Sequence, residues 1–320
     1  MADTRFRTGR FVSRREFLSL GAGIGVAAAL RSVPACAAAG PIPTRSIPRT
    51  GERLPVVGLG TAIVFDIGDD AARRAERRAV IQTMLEGGGR VIDTAPSYGT
   101  AETVLGELLA AMQSRDKVFL ATKVRAARRD AAITEMEQSL RRLRSDKLDL
   151  MQIHNPGTDP GETAAQIELL REWKEKGIFR HIGVTHFQEI ANERLIELMR
   201  RGKLDFVQVN YSMAERSVER RLLAVAAETG TAVLVNLPFA RGKLFSAVRG
   251  KPVPEWAAEF EAASWGQFFL KYVLAHEAVT CVIPGTDKPE YMLDNLNAGR
   301  GRLPGAAMRR KMIEFLDSLR

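Results

Sequence analysis

The stretch VIDTAPSYG, residues 91–99, joins a short apolar run to a polar segment that carries an acid and a phenol. Seven further apolar runs rich in β-forming residues occur along the chain, and amphipathic segments with helical spacing separate them. These runs occupy residues 56–61, 118–124, 148–154, 181–185, 206–210, 232–238 and 279–285. Runs this short and this uniformly apolar are typical of parallel strands that helices cover.

Eight strand–helix units within about 230 residues favour a closed (β/α)8 barrel, an α/β fold, over an open doubly wound sheet. The spacing of apolar side chains predicts helices at residues 70–86, 131–144, 161–176, 188–201 and 217–228. A turn at Thr50 and Gly51 between two extended pieces predicts an N-terminal β-hairpin that plugs the bottom of the barrel. Residues 304–320 predict an extra C-terminal helix. We therefore expect one barrel domain over residues 40–320.

Residues 1–39 have the parts of an export signal. A basic segment is followed by a short apolar run at residues 18–30 and by small residues suited to cleavage. The pair Arg14 and Arg15 resembles the bacterial twin-arginine signal, so we predict a signal peptide over residues 1–39. The expected partner is the twin-arginine export machinery, and the expected location is the periplasm or another exported compartment.

Other interpretations of this segment stay open. The glycines of GAGIG, residues 21–25, would suit a dinucleotide turn, but that turn needs a preceding strand and an acid about twenty residues later. A charged segment precedes these glycines and no acid occurs in the fifteen residues that follow. A disordered basic N-terminus, or a lipoprotein signal with Cys36 as the lipidated residue, are the remaining alternatives.

Composition narrows the function classes. Of the formal net charge of +9, residues 1–39 carry +4, and the remaining excess is spread along the chain. No basic block with interleaved aromatic residues stands out, so we expect no nucleic-acid partner. Past residue 40 no apolar run is long enough for a permanent membrane span. We also predict no metal site and, with Cys36 removed, no internal disulfide for Cys281.

Polar residues at the C-terminal ends of barrel strands are the candidates for catalysis. The sequence puts Asp93 and Tyr98 at and after the second strand, Lys123 in the third and His154 at the end of the fourth. A free phenol is a weak proton donor at neutral pH, and a lysine cation beside it stabilises the phenolate. An aspartate keeps the lysine charged, and a neutral imidazole can hold a carbonyl oxygen. This set predicts proton donation to a carbonyl as hydride arrives.

With these residues the chain resembles the aldo-keto reductase family over residues 46–318. The motifs that carry the resemblance are GLGT (58–61), DTAPSYG (93–99), ATKV (121–124), IHNP (153–156), GIFRHIGVTHF (177–187), QVNYS (208–212) and IPGTDKPEYMLDN (283–295). The resemblance implies a catalytic tetrad of Asp93, Tyr98, Lys123 and His154. It also implies an NADP(H) cofactor, extended over the barrel mouth and bound without a Rossmann domain.

The cofactor residues that the resemblance implies match the family unevenly. They are Gly60, Thr61, Thr185, His186, Gln208, Pro238, Phe239, Thr286, Lys288 and Asn295. Thr185 and His186 replace the usual Ser-Asn pair, and Pro238 and Phe239 stand where a stacking aromatic is usual. Tyr291 replaces the arginine that contacts the 2′-phosphate in many members, which leaves Lys288 as the remaining cation. NADP(H) is therefore the expected cofactor, with NAD(H) open as the alternative.

The predicted function is NADPH-dependent reduction of an aldehyde or ketone to an alcohol, with Tyr98 as the general acid. The partner is a small-molecule carbonyl or alcohol. Two alternatives use the same residues: a nucleotide-binding regulatory or interaction protein with little turnover, and an exported dehydrogenase running the reverse reaction. Phe65, Phe245, Trp256 and Trp265 are candidate pocket residues, and both tryptophans could equally belong to the core. Because free NADPH is not expected outside the cytoplasm, an exported enzyme would need to carry its cofactor tightly bound.

Overall fold

The computed structural model describes residues 40–319. The export signal expected in residues 1–39 lies outside the described residues. The N-terminal hairpin pairs β1 (Thr44–Ser46) with β2 (Arg53–Pro55) in antiparallel fashion. The parallel strands that follow are β3 (Leu59–Gly60), β4 (Val91–Asp93), β5 (Phe119–Val124), β6 (Leu148–His154), β7 (Phe179–His186), β8 (Phe206–Asn210), β9 (Ala232–Asn236) and β10 (Val279–Val282).

Helices alternate with these strands. They are α1 (Ala71–Glu86), α2 (Ala101–Ala111), α3 (Arg129–Arg142), α4 (Pro160–Glu175), α5 (Asn192–Gly202), α6 (Leu222–Glu228), α7 (Lys243–Ala247), α8 (Trp265–Leu274), α9 (Pro289–Ala298) and α10 (Ala306–Asp317). The predicted helices lie within a few residues of these bounds. The exceptions are segments 188–201 and 217–228, which begin as 3-10 turns at Glu189–Ala191 and Ser217–Arg220.

The eight parallel strands form a barrel, as the sequence predicted. Each pairs with the next in chain order from β3 to β10. The bridges Val57–Val282 and Gly60–Gly285 then join the first strand to the last. A Cβ atom on Gly60 would lie 2.7 Å from the carbonyl oxygen of Ile283. Only glycine therefore allows the two ends of the sheet to approach this closely.

The barrel interior is apolar at its lower end, and the hairpin closes it. Ile47 and Leu54 of the hairpin pack in one buried cluster with side chains from six of the barrel strands. Both hairpin side chains are almost completely buried. The predicted plug is therefore confirmed, and the open end of the barrel is the one at which the parallel strands end. No helix within residues 40–319 is long and apolar enough to cross a membrane.

Candidate active site

The four predicted catalytic side chains meet at the C-terminal end of the barrel. Asp93 ends β4, Lys123 lies one residue before the end of β5, and His154 ends β6. Tyr98 follows in the loop that connects β4 to α2. Because neighbouring parallel strands end at the same edge, the register brings these positions to one level of the barrel mouth.

Lys123 is held by a buried ion pair. Its side chain has no exposed surface, and its Nζ donates to Asp93 Oδ2 at 2.5 Å and to the carbonyl oxygen of Thr94 at 2.8 Å. Burial alone would lower the pKa of the ammonium, but the charge of Asp93 and the contact with Tyr98 outweigh it and raise that pKa. The lysine is consequently a permanent cation at the base of the mouth.

Tyr98 adjoins both this ammonium and an imidazole. The Nζ of Lys123 lies 4.9 Å from the centroid of the Tyr98 ring. The rings of Tyr98 and His154 are perpendicular, with centroids 6.1 Å apart. Tyr98 is partly exposed, so its phenol can reach a ligand that enters the mouth. The arrangement places a phenol next to a fixed positive charge and next to a ring that can form hydrogen bonds.

His154 is neutral at physiological pH. Burial, and then the positive charges of Lys123 and Arg125 and the nearby His186, lower the pKa of its imidazole to about 3. Its Nδ1 atom is buried and has no hydrogen-bond partner in the described chain. A neutral ring carries one N–H donor and one acceptor, so it can hold a ligand oxygen without adding charge.

An amide network that the sequence analysis missed completes the site. Gln152 Nε2 and Gln208 Nε2 both donate to Asp93 Oδ1, at 3.0 and 2.8 Å, and Gln208 also donates to Gln152 Oε1 at 3.2 Å. Gln208 Oε1 in turn accepts from Thr185 Oγ1 at 3.2 Å and from Asn236 Nδ2 at 3.3 Å. Asp93 is thereby fixed on both oxygens. Polar residues inside or at the end of the apolar runs 148–154 and 232–238 were the available signal for Gln152 and Asn236.

The predicted cofactor residues fall into separate groups. Thr185 and Gln208 belong to the network around Asp93, and Thr61 joins it through Oγ1, which donates to the backbone oxygen of Asp93 at 3.0 Å. His186 follows Thr185 and its Nδ1 accepts from the backbone of Gln188. Gly60, as described above, closes the barrel beside this group.

The remaining predicted residues lie on two other loops of the same mouth. Pro238 is buried, and the ring of Phe239 packs on Phe245 with centroids 4.8 Å apart. Thr286 is buried at the corner between β10 and α9, and Asn295 is buried within α9. Lys288 in this corner is exposed and lies 5.5 Å from the ring of Tyr291.

Three of the four aromatic residues considered as pocket lining pack in the core instead. Phe65 has no exposed surface, and Trp256 and Trp265 both pack against Phe315 of α10. Among the four aromatic residues that were considered, Phe245 alone is substantially exposed, at 41%. The tryptophans therefore contribute to packing of the C-terminal helix.

Unpartnered polar atoms at the mouth fit a polar ligand. Eight buried side-chain nitrogen or oxygen atoms in residues 40–319 have no hydrogen-bond partner. Five of them lie at or just after the ends of barrel strands: Thr94 Oγ1, His154 Nδ1, Asn155 Oδ1, Asn210 Oδ1 and Asn236 Oδ1. A buried polar atom without a partner is costly. A ligand with amide, hydroxyl and phosphate groups, such as a nicotinamide nucleotide, would supply the missing partners.

The opposite end of the barrel carries a different cavity. It has a volume of about 560 Å³ and lies at the start of β4 to β7, beside the hairpin. Its acids are partly neutralised within the wall, since Asp149 pairs with Arg115 and Arg180. None of the predicted site residues lines it, so we place the functional site at the mouth.

Comparisons with known proteins identify the family. The sequence profile of the aldo/keto reductase family matches residues 56–310. Methylglyoxal reductase YeaE of Escherichia coli is 33% identical over 235 residues, which cover 72% of this chain and 80% of that protein. The NADH-specific methylglyoxal reductase of the same species is 28% identical, covering 82% and 95%.

A solved relative gives the same answer for the fold. The aldo-keto reductase of Klebsiella pneumoniae, crystallised in complex with NADPH, matches with a TM-score of 0.69 and 27% identity. The match covers 84% of this chain and 92% of that one. The barrel, its polar mouth and these matches lead to one conclusion: this chain is a member of the aldo/keto reductase family.

Proposed function

We propose that this protein is an NADPH-dependent oxidoreductase that reduces an aldehyde or a ketone to the alcohol, with Tyr98 as proton donor. The observation that carries the proposal is the fully buried ammonium of Lys123, held by Asp93 and 4.9 Å from the centroid of the Tyr98 ring. A buried cation costs stability unless its partners compensate for lost hydration. Family membership and the NADPH complex of the Klebsiella relative support the choice of cofactor.

The chain's own side chains supply the acid half of the reaction. Lys123 stabilises negative charge on the Tyr98 oxygen, so the phenol gives its proton to the substrate carbonyl oxygen more readily. Neutral His154 donates a hydrogen bond to the same oxygen as negative charge develops there. Asp93, fixed by Gln152 and Gln208, keeps Lys123 charged and in place. A bound reduced nicotinamide would supply the hydride to the carbonyl carbon.

The test is carbonyl-dependent oxidation of NADPH, followed by cofactor absorbance, for the unsubstituted chain and for Tyr98→Phe. General acid catalysis contributes roughly 10²–10⁴-fold, so we expect a rate loss of that order. The Kd for NADPH, measured by fluorescence titration, should change less than about twofold because the phenol oxygen is not needed to hold the nucleotide. Unchanged turnover in Tyr98→Phe would exclude the assigned acid. Nucleotide binding without turnover on any carbonyl would favour the regulatory alternative.

We propose NADPH in preference to NADH because Lys288 offers an exposed cation at the corner between β10 and α9. A hydrogen bond to a charged group is worth roughly 1.5–3 kcal/mol, so Lys288→Gln should weaken NADPH binding about tenfold or more. NADH has no 2′-phosphate and should bind Lys288→Gln as before. Lys117→Gln, at the opposite end of the barrel, is the matched control. Equal affinities for both nucleotides in the unsubstituted chain would contradict the preference.

We further propose that residues 1–39 are a cleaved twin-arginine signal and that the enzyme acts outside the cytoplasm with its nucleotide already bound. The support is the sequence of the segment, joined to a reductase site. Native mass spectrometry of protein from its own compartment should give an N-terminus near Gly40 and the mass of a retained nucleotide. A full-length N-terminus, or protein without nucleotide that binds NADPH only weakly, would overturn this part. A retained nucleotide found mainly oxidised or mainly reduced would indicate the direction of the reaction.

A further inference from the structure

Ile63 is an apolar side chain that the fold holds in solvent beside the active site. Its φ is +68° and its side chain is 81% exposed. A left-handed backbone is a genuine outlier for a β-branched residue. An isoleucine this exposed gains almost no burial to offset the strain. Such strain persists only where the surrounding structure imposes it, and it clusters at ligand sites.

The loop that carries Ile63 is tied to the tetrad on both sides of the residue. Two residues earlier, Thr61 donates through both its backbone N–H and Oγ1 to the backbone oxygen of Asp93, each at 3.0 Å. Three residues later, Asp66 Oδ1 accepts from the backbone N–H and the hydroxyl of Thr100, each at 2.9 Å. Thr100 lies two residues after Tyr98. Ile63 therefore sits between an anchor on the catalytic aspartate and an anchor on the catalytic loop.

A third anchor fixes the loop from below. Arg77 of α1 is 5% exposed, and it donates to the backbone oxygens of Val64 and Asp287, each at 2.6 Å. Phe65, next along the chain, is completely buried. With three anchors within six residues, the loop cannot turn the Ile63 side chain into the core. Several independent contacts therefore hold the Ile63 side chain in solvent.

Other exposed apolar side chains gather at the same end of the barrel. Within residues 40–319, seven large apolar residues are exposed. Four of them lie between the end of a barrel strand and the next long helix: Ile63, Phe187, Ile190 and Phe245. Apolar surface that rims a polar site is typical of a site for a ligand with an apolar part.

We infer that Ile63 determines specificity by contacting the apolar substituent of the substrate, and that the substrate is an aldehyde or ketone carrying a bulky alkyl or aryl group. The inference rests on the proposed function, because the polar end of the same molecule must reach Tyr98. A bulky apolar substrate would distinguish this chain from relatives named for methylglyoxal, a small polar dicarbonyl. The strain at Ile63 is then offset when the substrate covers the side chain.

The test compares Ile63→Asn with the unsubstituted protein. Asparagine has a similar size, tolerates a positive φ and removes only the apolar character, so folding should not suffer. For an aryl aldehyde such as naphthaldehyde we expect kcat/KM to fall about tenfold, the scale of lost apolar contact in a pocket. For methylglyoxal, kcat/KM should stay within about twofold, and so should the Kd for NADPH. In the unsubstituted protein naphthaldehyde should be the better substrate.

Leu303→Asn is the matched control, since Leu303 is exposed but lies between α9 and α10. It should leave both substrates unchanged. A second readout avoids turnover: the Kd of naphthaldehyde for nucleotide-loaded Tyr98→Phe should rise about tenfold when Ile63→Asn is added. Equal losses on both aldehydes, no loss on either, or weaker NADPH binding would each overturn the inference about Ile63. If the protein reduces no carbonyl, the proposed function fails; the Kd comparison still decides whether Ile63 contacts an apolar ligand.

Discussion

A lysine with no exposed surface needs a partner for its charge, and Asp93 is that partner for Lys123. The carboxylate is held in turn by the two amides of Gln152 and Gln208. The pair is consequently part of the barrel's interior as well as of the proposed chemistry. Buried ion pairs contribute little net stability, but losing one member leaves an uncompensated charge.

The substitution Lys123→Met should therefore destabilise the fold as well as abolish turnover. We expect the free energy of unfolding, measured with denaturant, to fall by about 3–5 kcal/mol, because Asp93 stays buried without its cation. The double variant Asp93→Asn/Lys123→Met should regain most of that loss while remaining inactive, since no unpaired charge is left. Equal stability of the single and double variants would contradict the ion-pair explanation.

His154 should make stability fall in mild acid. The unfolded chain binds a proton at this ring below about pH 6.5, whereas the folded chain does so only near its lowered pKa of about 3. Unfolding takes up a proton between these values, so the free energy of unfolding falls as the pH falls. The contribution approaches about 1.4 kcal/mol per pH unit.

Denaturant unfolding of the unsubstituted protein and of His154→Gln, between about pH 6.5 and about pH 4, measures this contribution. The dependence on pH should be weaker in the variant because the contribution of His154 is lost. Some dependence should remain, since burial also lowers the pKa of His181, His186 and His276 in both proteins. Identical slopes would mean that His154 is not protected from protonation in the folded state.

Three members of the candidate tetrad were predictable from sequence because each interrupts or ends an apolar run, and Tyr98 lies in the polar segment just after one. Lys123 within FLATKV and His154 at the end of LDLMQIH have no local structural reason to be there. Gln152 was not predicted, since an uncharged amide inside a strand gives a weaker signal. Its partners Asp93 and Gln208 are 59 and 56 residues away, so only the folded barrel identifies them.

At the scale of secondary-structure elements, the loop between β4 and α2 is the one that carries Tyr98. Its conformation depends on Gly99, which has a φ of +58°. A Cβ atom at this position would lie 2.3 Å from the Asp66 carboxylate, the group that anchors the loop through Thr100. The carboxylate and Thr100 hydrogen-bond closely enough to lower the pKa of Asp66.

Gly99→Ala should reduce kcat by at least about tenfold, because displacing the Asp66 anchor moves Tyr98, and misplacement by about 1 Å can cost about 10²-fold. Gly177→Ala is the matched control: its φ is +72°, but nothing lies within 4 Å of the added atom. Both variants should lose about 1–2 kcal/mol of stability from the left-handed backbone, and only Gly99→Ala should lose activity. Similar kcat values in the two variants would show that the anchor does not position Tyr98.

The turn of the N-terminal hairpin was predicted from sequence. The predicted residues were Thr50 and Gly51, and Gly51 has a φ of +75°.

The first barrel strand was expected over residues 56–61, yet β3 comprises only Leu59 and Gly60. On its other side this segment meets the last strand at the bridges Val57–Val282 and Gly60–Gly285.

On the scale of the whole molecule, the barrel has one plugged end and one polar end. Ile47 and Leu54 fill the lower opening, so ligands have access to the interior side chains only from the mouth. The polar network around Asp93 lies directly above this apolar layer. A domain of this kind must be complete before its site exists, because six strands contribute to the site. This requirement suits the proposed export of an already folded protein.

Replacing Arg14 and Arg15 together by lysine should stop export while leaving the enzyme intact. Lysine keeps the charge of the basic segment, so the change removes only the residue pair that the twin-arginine machinery recognises. Fractionation of a bacterial host should then find full-length, active protein in the cytoplasm. The paired change Arg5→Lys and Arg7→Lys is the control and should leave export as it was. Export of both variants would contradict a twin-arginine signal.

The sequence by itself determined the barrel and the four polar residues that are candidates for the tetrad, because short apolar runs and polar strand ends are local properties of the chain. Tertiary structure alone decided which atoms meet: the two amides on Asp93, the lowered pKa of His154 and the exposed, strained position of Ile63. The physical reason is that burial, electrostatic coupling and backbone strain arise from contacts between segments far apart in sequence. Residue types limit the chemistry that is possible. Closure of the barrel decides which of those residues lie together in one site.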